Sequence, residues 1–189
     1  MPRLEIDINK IKHNAAILKE LFAEKGISVT AVIKGVTGSP EVANTILECG
    51  ITTIAVSLVQ NIKKMKEFRV KAEFMLTRLP TFSEVPEVVK YADISLNSEI
   101  STIKLLSEHS LKQGKRHKVI LMLELGDLRE GILPGNIDSI IEQIIPLKGV
   151  ELYGIGANLA CFGGVKPSEK NMIELSQTAD RIQKKYNIK

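Results

Sequence analysis

The sequence predicts an α/β fold with a parallel sheet, and two observations carry that expectation. Along the chain the apolar residues switch regularly between a strand-like and a helical period. The strand-like runs are dense in Ile and Val instead of alternating with polar residues, which suits strands covered on both faces. Such a βα alternation is satisfied by a doubly wound open sheet or by a (β/α)8 barrel. No Gly-x-Gly-x-x-Gly turn follows the first strand, which weighs against the dinucleotide-binding open sheet. A barrel normally takes about 250 residues, whereas this chain has 189 residues and about six strand–helix units. Periodicity leaves both architectures open.

The elements follow in order. Leu4 to Ile8 alternates charge with Leu and Ile and leads into a helix from Ile11 to Glu24. Ile27 to Lys34 is β-branched and strand-like; Gly35-Val36-Thr37-Gly38 breaks it. A helix from Pro40 to Cys49 then starts with Ser39 as cap and proline just inside, as capping rules favour. Thr52 to Leu58 reads as a strand, Gln60 to Phe68 as a helix, and Ala72 to Leu79 as a strand stopped by Pro80. Ser83 to Tyr91 is helical, and Asp93 to Leu96 is a short strand. Ser98 is the expected cap of a helix running to about Gln113. Lys118 to Leu125 is the most apolar strand, with Ile137 to Ile145 the helix after it. Val150 to Ile155 is the last strand, and Ser168 to Tyr186 a long amphipathic helix.

Composition narrows the function classes. With 44% hydrophobic and 25% charged residues the chain is neither disordered nor collagen-like. The 26 Lys and Arg against 22 Asp and Glu leave a formal net charge of +4, dispersed over expected helix faces with Glu nearby. Five Phe, three Tyr and no Trp offer no stacking platform, so nucleic acid is not an expected partner. No apolar run approaches the ~20 residues of a membrane span, and Met1 to Asn9 has no signal-like apolar core. Cys49 and Cys161 are too few for a disulfide framework. A cytoplasmic protein with reduced thiols is expected.

In parallel α/β folds chemistry sits at the carboxyl ends of strands. Those positions are Lys34, Ser57, Arg78, Asn97, Gly126 to Arg129, and Asn158 to Cys161. Lys34 ends an apolar run and precedes glycines that let a ligand approach the backbone. In a barrel interior its amine would be partly desolvated and nucleophilic; the plainer alternative is a lysine snorkelling to the rim. Arg129, in a glycine-flanked loop, can grip a carboxylate with two donors or pair on the surface with Asp127 or Glu130. Cys161, between glycines, can face a ligand or pack inertly. His13, His109 and His117 lack metal-ligand spacing, so no metal is expected.

Several stretches together resemble one family. They are Leu4-Glu5-Ile6-Asp7 with Ile11, His13 and Asn14; Thr30 to Val36; Ala92 to Glu99; His117 to Met122; Gly126-Asp127-Leu128-Arg129-Glu130-Gly131; and Asn158-Leu159-Ala160-Cys161 with Gly163-Gly164. In this order they resemble the alanine racemase-like, pyridoxal-phosphate enzymes of fold type III, most closely the ornithine racemase branch. The resemblance implies a (β/α)8 barrel of alanine racemase N-terminal type, present here as a single incomplete domain over residues 1–189. The last strands and any C-terminal domain of the family have no counterpart in this sequence.

The resemblance also implies roles. Lys34 matches the lysine that forms the aldimine with pyridoxal 5'-phosphate, and Arg129 the arginine near the substrate carboxylate. Asn158 falls where alanine racemases place a histidine near the cofactor ring, and Asn97 is expected on the cofactor side. Inverting Cα needs a second acid/base, a partner subunit's tyrosine in alanine racemases; Cys161 is the candidate here, ahead of Tyr153 and Tyr91. The expected partner is a small amino acid, ornithine or alanine-like, and the expected assembly a homodimer, since unpaired strand edges seek partners. Two departures stand out: Val56-Ser57-Leu58 replaces Asp-Ser-Arg, and the family's phosphate-binding final strands are missing. They keep two other readings open, a pyridoxal-phosphate homeostasis protein of the same barrel and an inactive fragment.

Overall fold

The computed structural model describes residues 3–159 and 164–188. Strands and helices alternate as α1 (Ile8–Ala23), β1 (Thr30–Val32), α2 (Pro40–Glu48), β2 (Thr53–Val56), α3 (Val59–Glu67), β3 (Glu73–Leu76), α4 (Val85–Tyr91), β4 (Ile94–Asn97), α5 (Ile100–Lys112), β5 (His117–Leu123), α6 (Ile137–Ile144), β6 (Val150–Ala157) and α7 (Glu169–Tyr186). The sheet follows the order β1-β2-β3-β4-β5-β6. A doubly wound sheet reverses its strand order at a switch point; an unreversed order is barrel winding, and it resolves the alternative that periodicity left open. By contacts the chain divides into two compact units, Met1–Thr77 with Tyr91–Asp93, and Arg78–Lys90 with Ile94–Lys189.

In the first unit, α1 begins at Ile8, earlier than expected, because the Asp7 carboxylate accepts from the Lys10 amide at 3.1 Å. The α2 start is as expected: Ser39 Oγ accepts from the Val42 amide at 3.4 Å, with Pro40 in the first turn. Strands β1, β2 and β3 pair in parallel, Val32 opposite Ala55 and Ala55 opposite Met75. Ile46, Ile54, Ile62, Met65 and Phe74 are buried as this unit's core, each side chain contributing roughly 1.5–3 kcal/mol. Asp93 fastens onto β3, its carboxylate accepting from the Phe74 amide at 2.8 Å and its amide donating to the Phe74 carbonyl at 2.9 Å.

In the second unit β4, β5 and β6 are parallel, with Asn97 opposite Leu121 and Leu121 opposite Ile155. The β5–β6 register shifts between Val119 and Ile120: Val119 faces Leu152, but Ile120 faces Gly154, leaving Tyr153 as the extra residue. The expected Ser98 cap is not formed. The α5 helix starts at Ile100 with Glu99 as N-cap and no side-chain capping bond. Ile94, Ile103, Leu106, Val119, Leu121, Ile137 and Ile141 are buried as the core.

Helix α7 opens on a reciprocal capping box between Ser168 and Asn171. Its far end is tied to α6 by Asp138, which lies 2.5 Å from Arg181 Nη1 and 2.8 Å from Lys185 Nζ. The Tyr186 hydroxyl is 2.8 Å from the same carboxylate. Hydrogen bonds from Lys185 and Tyr186, and then Arg181, outweigh burial and hold the Asp138 carboxyl well below the usual carboxylate range. Asp138 in turn raises the Lys185 ammonium above the usual lysine range. Among the described residues, no helix is long and apolar enough to cross a membrane.

Candidate functional site

Lys34 stands just past β1. Ile33 extends the ladder with its amide on the Ala55 carbonyl at 2.9 Å, and Lys34–Val36 form a single 3-10 turn. The Thr37 amide donates to the Lys34 carbonyl at 3.1 Å and the Gly38 amide to the Ile33 carbonyl at 3.3 Å. Closing the turn this tightly puts two successive residues in the left-handed region, Thr37 at φ 50° and Gly38 at φ 63°. For a β-branched residue that conformation costs roughly 1–2 kcal/mol. Gly38 has no alternative, since a Cβ there would lie 2.9 Å from Asn61 Cβ.

Of the two alternatives for this lysine, sheltered or at the rim, its exposure matches the second. Lys34 is exposed. The reason lies in β1, which pairs with β2 on one side and leaves Val32 52% exposed. Beside the lysine, Gly35 has open space where a Cβ would project. Of the neighbouring positions that lack the family's charges, Val56 is buried and Leu58 is 41% exposed. At the end of β3, Arg78 binds Glu84 at 2.5 Å; against the pull of burial, hydrogen bonds from Thr81 and the Arg78 charge hold the Glu84 carboxyl below its ordinary value.

A second group of candidates gathers in the other unit, around the loop after β5. Ile132 returns beside β5, its amide on the Met122 carbonyl at 2.8 Å and its carbonyl taking the Glu124 amide at 3.0 Å. The loop between is stitched internally by Glu124 Oε1, which accepts from the Gly126 and Leu128 amides at 2.6 and 3.1 Å. Asp127 is buried at 3% exposure. Arg129 is exposed, and its Nε donates to Glu130 Oε2 at 2.5 Å. The other oxygen of Glu130 accepts from Asn158 Nδ2 at 3.2 Å. Glu130 thus joins Arg129 to Asn158, which lies just past β6. The sequence named Glu130 only as a surface partner for Arg129; nothing local signals its bond to a residue on another element.

Asn97, the last residue of β4, is 1% exposed and turns its amide onto its own strand. Its Nδ2 donates to the Ser95 carbonyl at 3.0 Å and to Ser95 Oγ at 2.9 Å. Ser95 Oγ also lies 2.8 Å from Nε2 of His117, itself 3% exposed, so this histidine is part of a buried polar row. Cys161, nominated as second acid/base, lies outside the described residues. Tyr91 ends α4, where Lys63 lies 6.0 Å from its ring; Tyr153 is 47% exposed on β6. Among the described residues no group of three or more His, Cys, Asp or Glu could hold a metal ion.

Comparison with known proteins follows the same residues. The signature of a family described as alanine racemase, N-terminal domain, matches residues 6–189. An ornithine racemase of Acetoanaerobium sticklandii is 38% identical over 188 residues, covering 99% of this chain and 53% of that protein. A lysine racemase of Thermotoga maritima is 32% identical over 187 residues, covering 99% and 52%. The chain therefore spans about half the length of the curated relatives it matches. In structure it is similar to the alanine racemase of Streptomyces lavendulae, with a TM-score of 0.80, 15% identity, and 97% and 50% of the two chains covered. It is also similar to PipY of Synechococcus elongatus, solved with PLP bound, with a TM-score of 0.74, 12% identity, and 90% and 82% covered.

Proposed function

The chain belongs to the alanine racemase N-terminal domain family, and on that premise we propose that it is the barrel part of a pyridoxal-phosphate-dependent racemase for ornithine or a similar free amino acid. The family match over residues 6–189 carries the reading, with Lys34, an exposed primary amine just past the carboxyl end of β1 beside a glycine whose Cβ position is open, at the position expected for the cofactor lysine. An aldehyde on a flat ring can reach such an amine, so the residues present fit pyridoxal phosphate. When bound, that group supplies an electron sink that makes the substrate's Cα proton removable. Lys34 Nζ accepts the proton on one face as a general base. The Arg129 guanidinium would hold the substrate carboxylate through charge-assisted donors, and Asn158 would help hold the cofactor. The Cys161 thiol delivers a proton on the opposite face. These roles rest on the resemblance of the motifs around Lys34, Arg129, Asn158 and Cys161 to those of the family. A homodimer acting in the cytoplasm is part of the same reading.

The test is optical and isotopic. Pyridoxal phosphate added to the purified chain is expected to give a near-visible absorption band that Lys34→Ala lacks. The loaded chain is expected to exchange the Cα hydrogen of both L- and D-ornithine for deuterium. No band in the wild type would end the reading.

A second reading is cofactor binding without turnover, and one observation favours it. Val56 and Leu58 stand where the family carries charged residues at the rim, which removes possible partners for a reacting substrate. An absorption band without Cα exchange on either ornithine or alanine would select it.

A further inference from the structure

We propose that Glu130 is a positioning residue that ties Arg129, the residue for the substrate carboxylate, and Asn158 into a single unit. This deepens the racemase reading and rests on it for the identity of the substrate. The two partners come from different elements, one from the loop after β5 and the other from beyond β6. The carboxylate of Glu130 links them, one oxygen on Arg129 Nε at 2.5 Å and the other on Asn158 Nδ2 at 3.2 Å. The Glu130 side chain is 14% exposed while that of Arg129 is 36% exposed. The anion is thus the inner, anchored member of the pair and the guanidinium the outer one.

The loop around it is already fixed without Glu130. Glu124 holds the Gly126 and Leu128 amides, and the Ile132 hydrogen bonds close the ends. Glu130 is therefore not needed to fold the loop, and its two bonds act on the side chains that face outward. A long arginine left alone samples many rotamers and loses that freedom on gripping a carboxylate. Held at Nε by a carboxylate, it keeps one plane, and the substrate meets a donor set already aimed. The plane is referred to β6 through Asn158, so a change at either partner is felt by the other.

Two measurements decide the matter. The first needs no cofactor: the Arg129 Nε–H resonance in a proton–nitrogen correlation spectrum, assigned by its loss in Arg129→Lys. It is expected to be protected from exchange with water in the wild type, to exchange faster in Asn158→Ala, and to exchange freely in Glu130→Gln. The second is the dissociation constant of L-ornithine from the chain loaded with pyridoxal phosphate, read by the change in the near-visible band. Glu130→Gln is expected to weaken it about tenfold, the scale of one charge-assisted hydrogen bond, with cofactor loading unchanged. Glu130→Asp, which keeps the charge but is too short to span both partners, is expected to show the same loss.

An unchanged resonance, wild-type ornithine binding in either Glu130 variant, or loss of cofactor loading together with substrate binding would each overturn the proposal. A wild-type chain that never takes up pyridoxal phosphate removes the racemase reading instead. The resonance then decides the Glu130 geometry by itself.

Discussion

Gly131 is fixed by the space around it. Its φ is 146°, and a Cβ there would lie 2.5 Å from the Glu124 amide nitrogen, in the place where the loop ends meet. Gly131→Ala is therefore expected to destabilise the chain by more than about 2 kcal/mol, through strain and overpacking together, read as a lower urea midpoint at unchanged slope. At this scale the sequence was informative wherever chemistry is local. The Ser39 cap, the glycine-flanked turn after Lys34 and the loop holding Arg129 all rest on neighbours within a few positions. It was uninformative wherever a partner lies far along the chain. The Glu130–Asn158 bond joins residues 28 apart, and the Ser95–His117 pair joins residues 22 apart. The exposure of Lys34 belongs to this second kind, because solvent access to a strand end depends on which strands stand beside it.

The docking of α7 depends on a few charges. Arg181, Lys185 and Tyr186 all converge on Asp138 of α6. Because the folded Asp138 carboxyl titrates below its ordinary value, its contribution is present above about pH 4 and is lost as pH falls through the lowered value. Lys185 runs the other way: its raised ammonium contributes below about pH 10 and the contribution is lost as pH rises through the raised value. Asp138→Asn is expected to lower Tm by about 2–4 °C at neutral pH. The difference from wild type should shrink toward pH 2 in thermal scans. The existence of α7 was legible from its amphipathic period, and its start from Ser168. The clamp was not, since four charged or polar groups on separate helix faces read as ordinary solvated surface. Strand lengths were overestimated for β1, where Ile27, Val29 and Ile33 run on beyond the strand, and for β3, where Thr77 to Leu79 lie past its end.

Ligand linkage acts on the molecule as a whole. A group that binds the folded chain and not the unfolded one raises stability by about 2.7 kcal/mol at a hundred times its dissociation constant. Saturating pyridoxal phosphate is therefore expected to raise Tm by several degrees in the wild type and not in Lys34→Ala. A shift that survives the substitution would mean that the cofactor is held elsewhere. The fold class was legible from the alternation of periods, and the strand order completed it. What periodicity lacks is any record of which strand pairs with which, and that record separates a barrel from an open sheet. The family match covers residues 6–189, while its curated racemases are about twice as long.

The extra residue in β6 sets a parity. Side chains along a strand point to alternate sides, so adding or removing one position reverses every one that follows. Tyr153 is the odd step between Leu152 and Gly154, and Asn158 lies downstream of it. Deleting Tyr153 is expected to swing Asn158 to the opposite face and cut it off from Glu130. Tyr153→Ala, which keeps the count, is expected to leave that contact in place. Comparing the Asn158 side-chain amide resonances of the two variants would read the difference directly.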